Sequence, residues 1–467
     1  NALRGVIARV ARWIIVKDTK EGEIHEDGPP PKDVVRDLAA LPAWPEIPPL
    51  RAVVESPVFA AGGTLVDVPG YCPAARLWYA PAADLVVPAV PENPTAADVA
   101  RARDLLVVEL LGDFPFADDA SRAHALAALL LPFVRPLIEG PTPLHLLDAP
   151  VEGTGKTLLA SAIAIVSTGR DAEAVAEADS DEEWRKRITA VLAEGPTFVL
   201  LDNINRVLDS GALASALTIR TWKDRILGVS KTARLPVTCT WVASGNNTRL
   251  SRELIRRTLF CRLDAKTDTP WLREAFRHDD LLAWAKANRG DLVWGALTLV
   301  RAWLAAGRPP GKARLGMFEQ WANTIGGILD VAGVPGMLAN AKAFRAARAD
   351  QVGEWRAFIT AWWEKFADRP VGVRALFDLV KAETLLDSVI GDKGEQSQRT
   401  RLGLALTRSV DRVFGTHRMA SAGEDHSGRQ QFALQPAPTT TPGRAERAGD
   451  APTSPDGTAE SADGSDD

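Results

Sequence analysis

Cysteine is scarce in this sequence: Cys72, Cys239 and Cys261 are the three in 467 residues, and they lie far apart without metal-ligand spacing. That spacing excludes a disulfide framework and a cysteine-built zinc site, and it points to a reducing compartment, the cytoplasm. No uninterrupted apolar run reaches membrane length and no secretory signal is evident, so no membrane contact is expected. Positive charge is not in excess either. Lys and Arg number 55 against 60 Asp and Glu, a formal charge of -5, so nothing pulls the whole chain toward nucleic acid. Any such contact has to come from a local basic patch. An initial Met is lacking too, which leaves room for an upstream domain. What is present is enough apolar content, 46%, to bury the cores of two or three domains.

The stretch PLHLLDAPVEGTGKTLLA, Pro143 to Ala160, joins an apolar run to a small-residue turn at Gly153, Thr154 and Gly155. Lys156, Thr157 and an apolar helix start follow. That order predicts a strand, a phosphate loop and a helix. Glycines let successive N–H groups turn inward around an anion, the helix offers its free N–H groups to the same anion, and Lys156 adds a point charge. Thr157 supplies the hydroxyl with which such a loop holds Mg²⁺. The full pattern wants glycine where Pro150 stands, so the match is to GTGKT only.

Two further strand ends come in order. Phe198 to Leu201 is apolar and ends on Asp202, where a carboxylate can meet the metal beside the phosphate loop. Val237 to Ser244 ends in Gly245, Asn246 and Asn247, and an amide at that tip can orient water or sense a terminal phosphate. A short helix then carries Arg252, Arg256 and Arg257 into a last strand, Leu259 to Leu263.

With these motifs in this order, the segment from Pro143 to about Asp264 resembles the ATPase core of the AAA+ superfamily. The resemblance is to the helicase part of phage and plasmid primase-helicases, close to superfamily 3 helicases. It implies an α/β fold: an AAA+ P-loop ATPase core with an N-terminal α+β region and a C-terminal helical and winged-helix-like region. It implies ATP and Mg²⁺ as cofactors, with Gly153, Thr154, Gly155, Lys156 and Thr157 on the nucleotide and Thr157 and Asp202 on the metal. Asn246 becomes the sensor, and Arg256 or Arg257 a finger acting across a subunit boundary, hence a homo-oligomeric ring, a hexamer. One departure matters: most AAA+ enzymes follow the Asp with a glutamate that polarises water, and this chain has Asn203, which cannot accept the proton.

Between Asp202 and the sensor strand, LDSGALASALTIRTW reads as a helix. The next stretch, to Trp241, reads as a β-hairpin with Lys223, Arg225, Lys231 and Arg234 around a turn at Gly228 to Ser230. The resemblance implies a hairpin that projects into a central channel and grips single-stranded or forked DNA. Lys and Arg suit phosphate contacts without reading sequence, while a solvated loop between two strands is the plainer alternative.

The remaining chain divides by composition. Residues 1–131 form an α+β lead-in, with hairpins from Val53 to Val90 and helices at Pro94 to Leu111 and Asp119 to Leu131, the first capped by Thr95. Residues 132–264 are the ATPase core. Residues 265–370 are helical, beginning with Trp271 to Asn288 and turning Trp271, Trp284, Trp294, Trp303 and Trp321 inward. Residues 371–419 read as a winged-helix-like module in which Arg408 and Arg412 are DNA-contact candidates or, equally, solvated cap arginines. From Ala420 to Asp467 apolar periodicity disappears and a disordered tail is expected. The function that follows is an ATP-dependent, ring-forming DNA helicase of a phage, plasmid or integrated element. An AAA+ enzyme that remodels or loads protein on DNA and an ATP-gated DNA-binding scaffold are the alternatives.

Overall fold

Apolar runs without alternation belong to strands covered on both faces, and the centre of the fold is built from them. The computed structural model describes every residue except 1, 21, 42–46, 226–231, 349, 392–393, 408, 415, 427 and 437–467. Two compact units divide after Arg348.

In the first unit, β1 (Leu144–Ala149) leads into α3 (Lys156–Thr168). Two helices precede it, α1 (Ala96–Asp104) and α2 (Asp119–Val134). The chain continues through β2 (Ala174–Val175), α4 (Asp181–Glu194), β3 (Phe198–Ile204), α5 (Gly211–Ala216), and the hairpin β4 (Thr221–Arg225) with β5 (Thr232–Pro236). It closes the sheet with β6 (Thr240–Asn246), α6 (Arg252–Ile255) and β7 (Thr258–Arg262). The five parallel strands lie in the order β7-β1-β6-β3-β2.

Alternate residues feed two separate cores. Leu144, Leu146, Val199, Leu201, Trp241 and Ala243 join Trp184, Ile188 and Leu213 of α4 and α5 on one face. On the other, Leu147, Ala149, Leu200, Val242, Leu259 and Cys261 join α2 and α3. Helices on both faces leave only the strand ends open, and in a parallel sheet ligands bind beyond the carboxyl ends. Every predicted polar strand end, at the phosphate loop, Asp202 and Asn246, lies at that one edge.

Upstream, Thr95 caps α1 in a reciprocal box with Asp98, and the lead-in carries small sheets, 52–54 with 70–72 and 77–79, and 58–59 with 65–66. Tyr79 is buried in that layer while Trp78 is half-exposed. Downstream lie α7 (Leu281–Ala287), α8 (Arg289–Ala305), α9 (Glu319–Val331) and α10 (Ala341–Arg348). Among the described residues no helix is long and apolar enough to cross a membrane.

The second unit contains α11 (Asp350–Phe366), β8 (Val371–Gly372), α12 (Val373–Ala382), α13 (Asp387–Ile390) and α14 (Glu395–Thr407). Strands β9 (Val413–Phe414), β10 (His417–Glu424) and β11 (Gln430–Pro436) complete it, in the sheet order β8-β11-β10-β9. Phe358 and Trp362 of α11 are buried with Leu376, Leu402, Phe414 and Phe432. This packing places α11 with the second unit instead of with the helices of 265–370.

Three expectations are corrected. The helix expected from Trp271 to Asn288 is a single 3₁₀ turn, Pro270–Leu272, then a loop, then α7. The loop is held open because Arg273 Nη2 donates to Asp113 O at 2.9 Å and the Arg277 N–H to Asp113 Oδ2 at 2.7 Å. Trp271, expected inside, is 58% exposed. The disorder expected from Ala420 is replaced, as far as Pro436, by β10 and β11, whose Met419, Phe432 and Leu434 are buried; residues 437–467 lie outside the described ones.

Candidate functional site

The phosphate loop runs from β1 into α3. Gly153 (φ 73°) and Gly155 (φ 91°) adopt left-handed backbone that a side chain would strain. A Cβ at Gly153 would also meet the Trp271 ring at 3.0 Å. Gly155 is the N-cap of α3 and no side chain caps that end, so the first-turn N–H groups are left for an anion.

The four residues expected to act together are together. Lys156 Nζ donates to Asn246 Oδ1 at 2.7 Å, and Thr157 Oγ1 donates to Asp202 Oδ1 at 3.2 Å. Burial pulls the Lys156 ammonium below its ordinary pKa, with Asp148, Asp202 and Glu152 pulling the other way. A hydroxyl beside a carboxylate is the donor set Mg²⁺ takes when phosphates and waters fill its other positions, so the residues fit that metal. Among the described residues no group of three or more His, Cys, Asp or Glu is placed to hold a metal without such outside ligands.

Asn203 is exposed in left-handed backbone (φ 54°), at the register shift between Leu201 and Ile204 after which β3 pairs with β6 once more, Ile204 opposite Gly245. The bulge presents Asp202 toward Thr157. Ser244 Oγ donates to Asp202 Oδ1 at 2.5 Å and accepts the Asn203 N–H at 3.0 Å, tying the carboxylate to β6. Glu177 accepts the N–H groups of Asn205 and Arg206, each at 3.2 Å, and steadies the segment beyond.

A second layer lies beneath. Asp148 of β1 has no solvent exposure; it forms an ion pair with Arg262 of β7 and accepts the Thr248 N–H at 2.7 Å. Arg262 Nη2 also donates to Asn247 Oδ1 at 3.0 Å, and Asn247 Nδ2 donates to Pro150 O at 3.2 Å. The phosphate loop is thereby tied through two neighbouring strands to a buried carboxylate. Sequence reading missed Ser244, Asp148 and Arg262, since a Ser, Asp or Arg within an apolar strand carries no spacing signal of its own.

The arginine pair separates. Arg257 is buried, with Nη1 donating to Glu253 O at 2.6 Å and Nη2 3.1 Å from Glu253 Oε1. Arg256, at the end of α6, is exposed. Neither bonds to the four strand-end residues.

The basic hairpin is present as β4 and β5, with Lys223, Arg225 and Arg234 exposed. Lys223 stands opposite Arg234 in the register. Its other face is anchored to α4: Thr189 Oγ1 donates to Asp224 Oδ2 at 2.7 Å and accepts the Trp222 indole N–H at 2.8 Å. The turn residues and Lys231 lie outside the described residues, as does Arg408. Arg412 is half-buried in the second unit, with Nη1 3.4 Å from Ser409 Oγ and its guanidinium 5.2 Å from the Phe414 ring centre.

No protein-family model matches the chain, and no curated protein matches it. Similar solved structures include the apo C-terminal region of NrS-1, at 11% identity over 92% of this chain and 98% of that one, with a TM-score of 0.37. The active helicase Cch of SCCmec type IV is similar at 12% identity, 91% and 93% coverage and a TM-score of 0.35. The inhibitor-bound JCV helicase is similar at 14% identity, 48% and 57% coverage and a TM-score of 0.23.

Proposed function

We propose that the chain is an ATP-hydrolysing DNA helicase of the AAA+ type, close to superfamily 3, that acts in the cytoplasm as a homo-oligomeric ring, a hexamer, of a phage, plasmid or integrated element. The observation that carries the reading is the meeting of Lys156, Thr157, Asp202 and Asn246 at one edge of the parallel sheet. The uncapped start of α3 and the loop N–H groups bind the phosphates of ATP, and Lys156 leaves Asn246 to meet them. Thr157 and Asp202 hold Mg²⁺, with Ser244 keeping Asp202 in orientation. Bound Mg²⁺ supplies neutralisation of charge on the phosphate oxygens. Asn246, released from Lys156, is free to orient water at the terminal phosphate. Arg256 is the finger toward a neighbouring subunit, because Arg257 is committed to Glu253. The exposed face of the β4–β5 hairpin meets DNA phosphates, which is where two cations placed opposite one another gain a counter-charge. The second unit, in which α12, α13 and α14 follow β8 and precede the antiparallel pair β10–β11, serves as a winged-helix-like accessory module.

Asn203 favours a second reading, a DNA-binding scaffold that uses ATP to close a ring, since its amide cannot take a proton from water. Steady-state ATP hydrolysis with and without single-stranded DNA, run beside unwinding of a forked duplex, separates the two. Helicase action requires DNA-stimulated turnover and strand separation, both reduced about 100-fold or more by Lys156→Ala. Nucleotide-dependent ring closure without turnover supports the scaffold, and DNA-stimulated turnover without unwinding by an intact oligomer supports a remodelling or loading enzyme.

A further inference from the structure

The far end of α3, away from the phosphate loop, borders a cavity of about 520 Å³. Its walls come from Glu55, the 80–86 segment, Thr168 to Arg170, and the start of α8 with Lys286 before it. A volume of this size accommodates a small metabolite.

Arg289 forms part of the wall and is only 6% exposed. Its partners are neutral: Nη2 donates to Glu55 O and Ser56 Oγ, each at 2.9 Å, and Nε lies 3.4 Å from Val166 O. These bonds clamp the lead-in to the last turn of α3, where a cation also meets the negative end of the helix. They leave Nη1 without an acceptor among the described residues. Nη1 is 2.8 Å from where a Cβ at Gly169 would stand, so the missing side chain keeps the space before it clear. Burial pulls the Arg289 guanidinium below its ordinary pKa, opposed first by Glu55.

Glu55 and Asp84 act on the Arg289 charge through space, but no carboxylate oxygen among the described residues accepts a hydrogen bond from it. Glu55 pairs with Arg170 at 2.5 Å, and Asp171 pairs with Lys286 at 2.9 Å. Asp84 lines the cavity and is exposed. A buried guanidinium with an unused donor in a roomy polar cavity calls for an acid group, while Asp84 calls for hydroxyl or amine donors on the same ligand.

We propose that this cavity binds a small hydroxylated organic anion, a phosphate monoester or a carboxylate, whose acid group accepts from Arg289 Nη1 and whose donors face Asp84. The proposal is independent of the ATP reading, because none of these residues belongs to the strand-end site.

The test is calorimetric titration of the full chain carrying Lys156→Ala, which keeps anions off the phosphate loop, with glycerol 3-phosphate, glycerate and glycerol in turn. Saturable binding of at least one anion and none of glycerol is expected, and the tighter anion identifies the acid group. Arg289→Gln should weaken binding about tenfold or more through loss of a charge-assisted hydrogen bond. Ala82→Trp, at an exposed lining position, should block binding while removing no buried group, and it carries the test if Arg289→Gln does not fold. Absence of saturable anion binding at millimolar concentration, equal binding of glycerol, or binding that survives Ala82→Trp unchanged would overturn the proposal.

Discussion

His145 sits on β1 with 1% exposure, and neither ring nitrogen makes a hydrogen bond of good geometry among the described residues. Burial, and secondly the nearby His124, push its pKa down to about 3. His124 is buried too and also lowered by burial, with Nδ1 2.9 Å from Phe260 O and Nε2 accepting the Leu338 N–H at 3.2 Å, contacts that suit a neutral ring. The folded pKa is depressed, so protons favour the unfolded chain. The stability held by these neutral rings is complete above the ordinary histidine value near 6.5, and for His145 it is lost as pH falls from there toward about 3. Each pH unit through that window costs about 1.4 kcal/mol for the His145 ring. Urea midpoints measured from pH 7 downward should therefore fall, and His145→Phe should flatten the fall. An unchanged slope in that variant would show that His145 does not govern the acid limb.

The hairpin β4–β5 presents two properties that normally conflict. Its buried side is fixed to α4 through Trp222, Asp224 and Thr189, whereas its exposed side sets Lys223 directly against Arg234. Like charges facing each other across a strand pair are destabilising by some tenths of a kcal/mol. Lys223→Ala with Arg234→Ala is expected to leave thermal stability equal or slightly raised. The same variant should bind all DNA sequences more weakly and lower the salt slope of binding by about 1.4 to 1.8 per engaged subunit. It should retain ATP binding and lose DNA stimulation. Fluorescence anisotropy across a salt series reads the slope, and a slope equal to wild type would remove the hairpin from the DNA interface.

The proposed ring assembly turns on the difference between two adjacent arginines. Arg257 is spent inside its own subunit on Glu253, and its truncation should lower stability. Arg256 is exposed, so Arg256→Ala should leave melting unchanged and nucleotide binding intact while abolishing hydrolysis. Mixing Arg256→Ala protein with Lys156→Ala protein should restore part of the turnover, because one contributes an intact phosphate loop and the other an intact finger. If mixed oligomers form and remain inactive, the active site is complete within one subunit and the ring mechanism fails.

What could be read along the chain was whatever has a short-range signature. The apolar runs of β1, β3 and β6 declare buried strands, and GTGKT declares the turn into α3, since neighbouring residues alone dictate both. The polar ends at Asp202 and Asn246 were legible because they interrupt those runs. Long-range pairings have no such signature. Ser244 meets Asp202 across 42 positions, Arg262 meets Asp148 across 114, and Arg289 meets Ser56 across 233. Trp271 looked like one face of a helix, yet the Arg273 and Arg277 bonds to Asp113 hold its segment open and leave the ring against Gly153. Local periodicity settles which segments become strands and helices because it is set by backbone geometry and the burial of a face. Which buried charge finds its counter-charge is set by strand order and helix packing, and only the folded chain supplies those.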